Sequence, residues 1–319
     1  MIFDIILIIV GIVAVLYGAD RMTEGAVALA KHIHIPEIVI GLTIVAIGTS
    51  APELFVSTVS ALNGTPDLAV GNVVGSNIFN TLLIAGAAAA VTPIDISRIT
   101  VKRDLPLAAL SSLLLIVLCL DSVISRTDAL MLFAGFIIFM VITVMPAIKD
   151  HKGSEQPTAE SAKTDSETAK APYSVMKAVG LIILGLALLV AGSNIFVDNA
   201  SQLAVALGVS QAVVGLTIVA GGTSLPELAT SVVAARKGQS AIAIGNVLGS
   251  NIFNILMILG ITGIIQPMKI EGITIIDLAT MLISIILLWL FSFTKLKVQR
   301  WEGIVLLMIF AAYMAWLLH

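Results

Sequence analysis

Charged residues are scarce in this sequence. Of its 319 residues, 12% are charged and 58% are hydrophobic, and the mean hydropathy is +1.08. Soluble domains carry about 25% charged residues, so this chain cannot cover a water-facing surface with polar side chains. The composition excludes a soluble globular protein, and we expect the lipid bilayer, not nucleic acid, as its main partner.

Cysteine and histidine are also sparse. Cys119 is the single cysteine and lies in an apolar run, so the sequence predicts neither a disulfide framework nor a cysteine-based metal site. The four histidines lie near segment ends or in a polar linker, and no two of them have the spacing of metal ligands. We therefore expect no cofactor.

Long hydrophobic runs are abundant. A helix that spans a bilayer needs about 20 apolar residues. The N-terminal run has no basic segment before it and is too long for a signal peptide, so it is interpreted as a retained first span. The sequence predicts an all-α membrane protein with ten spans, numbered 1 to 10 here, at 2–29, 36–61, 68–91, 104–121, 127–147, 173–198, 209–234, 241–266, 272–292 and 301–318.

A polar stretch divides the chain in two. Residues 149–172 contain no large apolar side chain, which is typical of a disordered linker. The predicted organisation is a first five-helix repeat at 1–147, a linker at 148–172 and a second five-helix repeat at 173–319.

Basic residues are distributed unequally between the two ends of the spans. Loops on the cytoplasmic side of membrane proteins are enriched in Lys and Arg. The side that carries both termini holds only Arg126 and Lys269. The opposite side holds the other 15, namely Arg21, Lys31, Arg98, Lys102, Arg103, Lys149, Lys152, Lys163, Lys170, Lys177, Arg236, Lys237, Lys295, Lys297 and Arg300. We expect a cell-membrane protein with both termini outside and a cytoplasmic linker.

The two halves repeat each other. Residues 41–54 read GLTIVAIGTSAPEL and residues 215–228 read GLTIVAGGTSLPEL; residues 71–80 read GNVVGSNIFN and residues 245–254 read GNVLGSNIFN. Each half has an odd number of spans, so the second copy enters the membrane upside down. Inverted repeats of this kind are a recurring design of secondary transporters, whose substrate site lies near the midplane.

The first repeated motif places a carboxylate inside a span. Glu53 and Glu227 each lie within an apolar run, where an ionised side chain costs at least about 2.5–3.5 kcal/mol and usually marks a function. No Lys or Arg occupies the core of any predicted span. The charge of the two glutamates therefore has to be compensated by a bound cation, by protons, or by both.

A proline beside each glutamate predicts a break in the helix. Proline lacks an N–H and clashes with the carbonyl four residues earlier, so Pro52 frees the carbonyl of Gly48 and can also free that of Thr49. Carbonyls freed at this depth are tolerated where they line a cavity. The same reasoning applies to the second copy, and the predicted breaks with their neighbouring hydroxyls are Gly48, Thr49, Ser50 and Pro52, and Gly222, Thr223, Ser224 and Pro226.

The second repeated motif adds further oxygen atoms. Ser76 and Asn80 lie four residues apart on one face of span 3, as Ser250 and Asn254 do on span 8. A site with oxygen ligands and neither sulfur nor imidazole selects hard cations such as Ca²⁺, Na⁺, Mn²⁺ or Mg²⁺. Two carboxylates match the charge of one Ca²⁺, and they repel each other when the site is empty, which favours exchange over leak.

With these motifs the chain resembles the cation/calcium exchanger superfamily, and within it prokaryotic members of the sodium/calcium exchanger branch. The resemblance covers the whole chain. It implies a core of spans 2, 3, 7 and 8, across which spans 1 and 6 slide. It implies that Glu53 and Glu227 bind Ca²⁺ together with backbone oxygens of Thr49 and Thr223. It also implies Na⁺ sites that involve the carbonyls of Ala46 and Ala220, the hydroxyls of Ser76 and Ser250, and Asn80 or Asn254.

One departure from this resemblance affects charge. Many relatives have an aspartate at one of the two positions that are Asn80 and Asn254 here. The neutral pair lowers the charge of the site and leaves the number of monovalent ions open. It also argues against potassium dependence, because the potassium-dependent relatives have an aspartate where Asn254 stands.

The leading hypothesis is a secondary antiporter that exchanges Ca²⁺ for Na⁺ by alternating access and extrudes Ca²⁺, with no requirement for an oligomer. The runner-up is a Ca²⁺/H⁺ antiporter that uses the same two glutamates. Two other classes were considered. An intramembrane hydrolase with Ser50 or Ser224 as nucleophile would lack a His or Lys base within a span, and a passive channel does not need a charged pocket between inverted broken helices.

Overall fold

Helices account for most of the described residues. The computed structural model describes residues 2–153, 173–208 and 220–317. The spans are Ile2–Ile33 (span 1), Glu37–Thr49 with Ala51–Leu62 (span 2), Pro66–Val91 (span 3), Leu105–Leu118 after a π-helical turn at Thr100–Asp104 (span 4), Arg126–Gly153 (span 5), Val175–Ala206 (span 6), Ala220–Thr223 with Leu225–Arg236 (span 7), Ser240–Ile265 (span 8), Ile275–Ser292 (span 9) and Arg300–Leu317 (span 10).

The predicted all-α membrane fold is confirmed, with small differences in helix length. Within the described residues, seven helices are long and apolar enough to cross a bilayer, and the bent pair in span 2 makes an eighth. Span 4 has 14 α-helical residues, and residues 209–219 at the start of span 7 lie outside the described range. Span 5 continues to Gly153, into the segment predicted as linker, whose residues 154–172 also lie outside that range.

Four strands of two residues each join the loops at the two ends of the spans. The strands are β1 (Ile94–Asp95), β2 (Val123–Ile124), β3 (Met268–Lys269) and β4 (Lys297–Val298). Strand β1 pairs antiparallel with β4, and β2 pairs with β3. The loops after spans 3 and 9 therefore share one side, and the loops after spans 4 and 8 share the other, as the inverted repeat requires.

Spans 1 and 6 form a closely packed antiparallel pair. Glycines at intervals of seven residues, Gly11, Gly18 and Gly25, line the face of span 1 that contacts span 6. A Cβ atom at Gly18 would lie 2.8 Å from the carbonyl oxygen of Gly185, and one at Gly11 would lie 2.8 Å from that of Gly192. Small residues allow helix backbones to approach closely in membranes, so this interface depends on the missing side chains.

Spans 2 and 8 cross at a second interface of small residues. A Cβ atom at Gly249 would lie 2.6 Å from the Cβ of Ala46 and 2.7 Å from the carbonyl oxygen of Leu42. Gly41 and Gly245 approach each other in the same way, since a Cβ on Gly245 would lie 3.0 Å from the Cα of Gly41. This contact brings the first half's broken span against the second half's span 8 and positions the core of spans 2, 3, 7 and 8.

We predict that Gly18→Ala lowers the free energy of unfolding by about 1–3 kcal/mol, because the added methyl overlaps the backbone of span 6. Thermal unfolding in detergent measures the change. Gly180→Ala is the matched control, since a Cβ at this exposed position of span 6 meets no described atom within 4 Å. Equal stability of the two variants would contradict the proposed close packing.

Candidate ion-binding site

Span 2 is broken at Ser50. The helices on either side of this residue are bent by 46°, and Ser50 has φ −84° and ψ 7°, outside helical geometry. Among the described residues, the main-chain hydrogen bonds across the break are Ser50 N–H to the Ala46 carbonyl at 3.0 Å and Leu54 N–H to the Ser50 carbonyl at 3.2 Å. The carbonyls of Gly48 and Thr49 are therefore not engaged by a helical N–H across the break.

Span 7 is broken at the equivalent residue. Ser224 has φ −88° and ψ 3°, and the helix restarts at Leu225. The hydroxyl of Ser193 on span 6 donates to the Gly222 carbonyl in this break at 2.6 Å, and no described side chain makes the equivalent bond to the Gly48 carbonyl. In span 1 the position equivalent to Ser193 is Ala19, which has no hydroxyl that could donate to the Gly48 carbonyl.

The two breaks bring the glutamates to one buried site through reciprocal hydrogen bonds. Ser50 Oγ donates to Glu227 Oε1 at 3.0 Å, and Ser224 Oγ donates to Glu53 Oε1 at 3.3 Å. Both carboxylates are 1% exposed. Each half thus holds the glutamate of the other half.

Several buried oxygen atoms of the glutamates and of spans 3 and 8 have no hydrogen-bond partner among the described residues. These atoms are Glu53 Oε2, Glu227 Oε2, Asn80 Oδ1, Asn251 Oδ1, Asn254 Oδ1 and Ser250 Oγ. A buried polar atom without a partner is costly and calls for an explanation such as a bound ion. Oxygen atoms from carboxylate, amide and hydroxyl groups are the ligands that Ca²⁺ prefers, so the donor set fits a hard cation.

Asn80 and Asn254 lie in equivalent π-helical segments, Phe79–Ile84 of span 3 and Phe253–Ile258 of span 8. Such segments are rare and occur often at functional sites. The Nδ2 of Asn254 donates to Asn77 Oδ1 at 3.1 Å, which leaves its Oδ1 free to face a ligand.

Asn77 and Asn251 connect spans 3 and 8 directly. Asn77 Nδ2 donates to the Asn251 carbonyl at 3.2 Å, and Asn251 Nδ2 donates to Thr81 Oγ1 at 2.8 Å. These amides join the two halves through direct hydrogen bonds between spans 3 and 8.

The structure places some of the remaining predicted residues near the two breaks. Ser76 Oγ is 3.5 Å from Ser224 Oγ. The hydroxyl of Thr49 donates to Asn246 Oδ1 at 3.1 Å. The Ala46 carbonyl, expected as an ion ligand, already accepts from the Ser50 N–H. Ala220 begins the described part of span 7, and its side chain lies outside the described residues.

Two asparagines at the site escaped the sequence reasoning. Asn72 Nδ2 donates to the Glu53 carbonyl at 3.3 Å, and Asn246 Nδ2 donates to the Glu227 carbonyl at 3.4 Å. Both belong to the repeated GNVxGSNIFN motif, and the repetition of a buried amide at the offset of the glutamates was the signal that could have identified them.

The two halves differ in how far their broken spans are covered. Phe55, two residues after Glu53, is 70% exposed, whereas Ala229, at the equivalent position of span 7, is 8% exposed. Span 1 covers this part of span 7, where Ile12, Val15 and Leu16 line a shared apolar surface. The pair of spans 1 and 6 therefore covers residues 225–236 of span 7 more fully than residues 51–62 of span 2.

Both halves of the chain are similar to known sodium/calcium exchangers and related antiporters. The model of the sodium/calcium exchanger protein family matches residues 3–145 and again residues 177–319. The chain is 40% identical to the CaxA protein of Alkalimonas amylolytica over 98% of both chains. It is 31% identical to the sodium/calcium exchanger MaX1 of Methanosarcina acetivorans over 99% of both chains.

The fold is also similar to that of a solved exchanger. The structure of the sodium-calcium exchanger NCX_Mj, soaked without Na⁺ and Ca²⁺, aligns with a TM-score of 0.84 and 31% identity and covers 99% of both chains. The similarity therefore extends over both halves and includes the broken spans.

We predict that Glu227→Gln abolishes the stabilisation of the protein by Ca²⁺, because it removes half of the charge that faces the cation. A ligand at 100 times its Kd stabilises the native state by about 2.7 kcal/mol. Thermal unfolding in detergent with and without CaCl₂ measures this gain. Glu271→Gln, in an exposed loop, should retain it, and a Glu227→Gln protein that retains it fully would contradict the site.

Proposed function

The chain belongs to the sodium/calcium exchanger protein family, and we propose that it extrudes Ca²⁺ from the cell in exchange for Na⁺. Membership of this family establishes that the protein is an integral membrane antiporter that exchanges Ca²⁺ for another cation, and that it is not an enzyme. The identity of the coupling ion, the direction of transport and the residue roles below are the proposal.

Glu53 and Glu227 are the proposed central ligands of Ca²⁺, completed by backbone oxygens of Thr49 and Thr223. The observation that carries this assignment is the pair of reciprocal serine–glutamate hydrogen bonds, which hold both carboxylates at one buried site. Ca²⁺ takes 6–8 oxygen ligands, and the unpartnered oxygens nearby supply neutral donors in addition to the two charges.

The proposed Na⁺ ligands are mostly neutral oxygens. They are the carbonyls of Ala46 and Ala220, the hydroxyls of Ser50, Ser224, Ser76 and Ser250, and the amide oxygens of Asn80 and Asn254. Neutral oxygens bind Na⁺ but do not take up a proton near neutral pH, and only the two glutamates in this set titrate. The large share of neutral donors therefore supports Na⁺ as the coupling ion over H⁺.

Charge counting predicts electrogenic exchange. A site of two ionised carboxylates carries −2, so it is neutral with one Ca²⁺ and carries +1 with three Na⁺. Three Na⁺ for one Ca²⁺ moves net charge across the membrane, and the usual inward Na⁺ gradient then drives Ca²⁺ outward. The alternative exchange of Ca²⁺ for two protons would be electroneutral.

Alternating access is proposed to arise from movement of the span 1–span 6 pair over the core. This proposal is supported by the observation that the broken part of span 7 is covered more fully than that of span 2. Because the two repeats are structurally equivalent, they can exchange conformations, which would cover span 2 and uncover span 7. The closed side would face the cytoplasm, because the 225–236 segment ends at Arg236 and is followed by Lys237, and basic loops are enriched on the cytoplasmic side. Both termini would then lie outside, with the linker in the cytoplasm of the cell.

One chain is proposed to suffice for transport, because both carboxylates and their serine partners come from its own two halves. The two repeats, at 1–147 and 173–319, would be the functional units and the segment at 148–172 a connection. The two matches of the family lie on either side of this connection.

We predict that the purified protein in proteoliposomes takes up Ca²⁺ when an outward Na⁺ gradient is imposed, and that a valinomycin-set potential changes the rate. With the potential clamped by valinomycin and K⁺, uptake should stay unchanged when a proton uncoupler is added. It should be lost in Glu53→Gln, while Glu271→Gln retains it. Uptake that needs no Na⁺ and collapses with the uncoupler would instead establish the Ca²⁺/H⁺ antiporter.

A further inference from the structure

Two buried amides outside the proposed ligand set form equivalent contacts in the two halves. The Nδ2 of Asn246 donates to the carbonyl oxygen of Glu227 at 3.4 Å and to Ser231 Oγ at 3.0 Å. In the first half, Asn72 Nδ2 donates to the Glu53 carbonyl at 3.3 Å and to Ser57 Oγ at 3.0 Å. Each amide therefore spans the helical turn that follows a glutamate.

Asn246 also connects the two halves. Its Oδ1 accepts a hydrogen bond from Thr49 Oγ1 at 3.1 Å, and its side chain is fully buried. A single side chain on span 8 thus binds the break of span 2 through its oxygen and the glutamate turn of span 7 through its nitrogen.

We propose that Asn246, and Asn72 in the other half, are positioning residues that fix the glutamate turns for ion binding, an inference that rests on the proposed function of Glu53 and Glu227. An amide suits this position because it supplies two donors on one atom and an acceptor on the other. Alanine at position 246 would leave the Glu227 carbonyl and the Ser231 hydroxyl without the donor they have here. Aspartate would place a third negative charge beside these two acceptors.

The test is Asn246→Ala in two measurements. Hydrogen exchange, recorded without transported ions, should quicken about tenfold at the Leu228 amide, which bonds to the Ser224 carbonyl at 3.0 Å. In proteoliposomes the KM for Ca²⁺ should rise about tenfold while the maximal rate changes less than about twofold. Ser231→Ala, which removes one of the two acceptors, should shift both readouts the same way by a smaller factor.

Asn199→Ala is the matched control, because Asn199 is an amide on span 6 whose Nδ2 bonds within its own helix to the Ile195 carbonyl at 2.7 Å. Unchanged exchange at Leu228 in Asn246→Ala would overturn the positioning role whichever ion is transported. Faster exchange in a protein that does not transport Ca²⁺ would support the positioning role and reject the proposed function instead. If Asn246→Ala does not fold, Ser231→Ala decides by the same two readouts.

A second inference concerns the closed side of the protein, where an ion pair ties span 1 to the core. Lys237 Nζ, just after span 7, lies 2.5 Å from Asp20 Oδ1 and also donates to the Asp20 carbonyl at 3.3 Å. Arg21 forms ion pairs with Asp20 and, at 2.8 Å, with Glu24, and the Tyr173 hydroxyl, just before span 6, donates to Glu24.

The equivalent contact is uncharged in the other half. The position in span 6 that corresponds to Asp20 is Asn194, and the position after span 2 that corresponds to Lys237 is Asn63. Both asparagines are exposed in this conformation. When the opposite side closes, symmetry would bring two amides together where this side has an ion pair.

We infer that the Asp20–Lys237 pair is an ionic latch that favours closure on the side of residues 225–236 over closure on the side of residues 51–62. This inference rests on the alternating movement proposed above. A partly exposed ion pair shifts a two-state equilibrium by about two- to fivefold. The difference between the halves would therefore make the observed conformation the preferred resting state.

Thiol labelling tests the latch without reference to any transported ion. In a Cys119→Ala background, a cysteine at Phe55 reports the open side and one at Ala229 reports the closed side. Lys237→Glu should raise labelling at position 229 and lower it at position 55 by about two- to fivefold. Adding Asp20→Lys to Lys237→Glu should move both rates back toward their original values, because an ion pair is rebuilt with reversed charges. Arg21, which pairs with Asp20 in the native protein, retains Glu24 as its partner.

The control is Lys269→Glu, which reverses the charge of an exposed ion pair with Glu271 in the loop after span 8, and it should leave both labelling rates unchanged. Labelling that Lys237→Glu does not change, or that the charge swap does not restore, would overturn the latch. Labelling that behaves as expected in a protein that exchanges Ca²⁺ for protons would support the latch and reject only the Na⁺ coupling.

Discussion

Two carboxylates buried together in an apolar chain are the constraint on which the rest of this structure depends. Glu53 and Glu227 cannot be ionised at that depth without polar partners, and each receives a hydroxyl from the opposite half, Ser224 for Glu53 and Ser50 for Glu227. Neither half could build this arrangement alone, because every glutamate depends on the serine of the other. The site is thus the reason that the two repeats must fold as one molecule.

The broken helices follow from the same constraint. A continuous helix would use its carbonyls internally, whereas the break at Ser50 leaves carbonyls without a helical N–H partner. The serines at both breaks donate to the carboxylates. Breaks of this kind need support from neighbouring helices, and Asn72 and Asn246 provide it from spans 3 and 8. The close contacts at Gly245 and Gly249 allow span 8 to come near enough to span 2 for that support.

In the proposed mechanism, the spans that move are not the spans that supply the glutamates. Spans 1 and 6 contribute neither glutamate, and their glycine interface makes them a closely packed pair that can shift as a unit. The pair covers the two breaks unequally, as the exposures of Phe55 and Ala229 show. The repeats are nearly identical at the glutamates but differ at Asp20, Lys237 and Ser193, so the proposed bias between the two closed forms would come from residues around the glutamate pair.

The sequence by itself determined the membrane setting, the inverted repeat and the two glutamates with their prolines, since these depend on hydrophobic length, on a repeated motif and on the rarity of charge in apolar spans. The alternation of basic residues among loops also predicted which loops share a side. Only the tertiary structure decided which atoms are in contact. Ser50 donates a hydrogen bond to Glu227 and not to its neighbour Glu53, and Asn246 accepts one from Thr49. Gly18 packs against the backbone of Gly185. These contacts join residues far apart in the chain, and local pattern carries no information about which distant surfaces pack together.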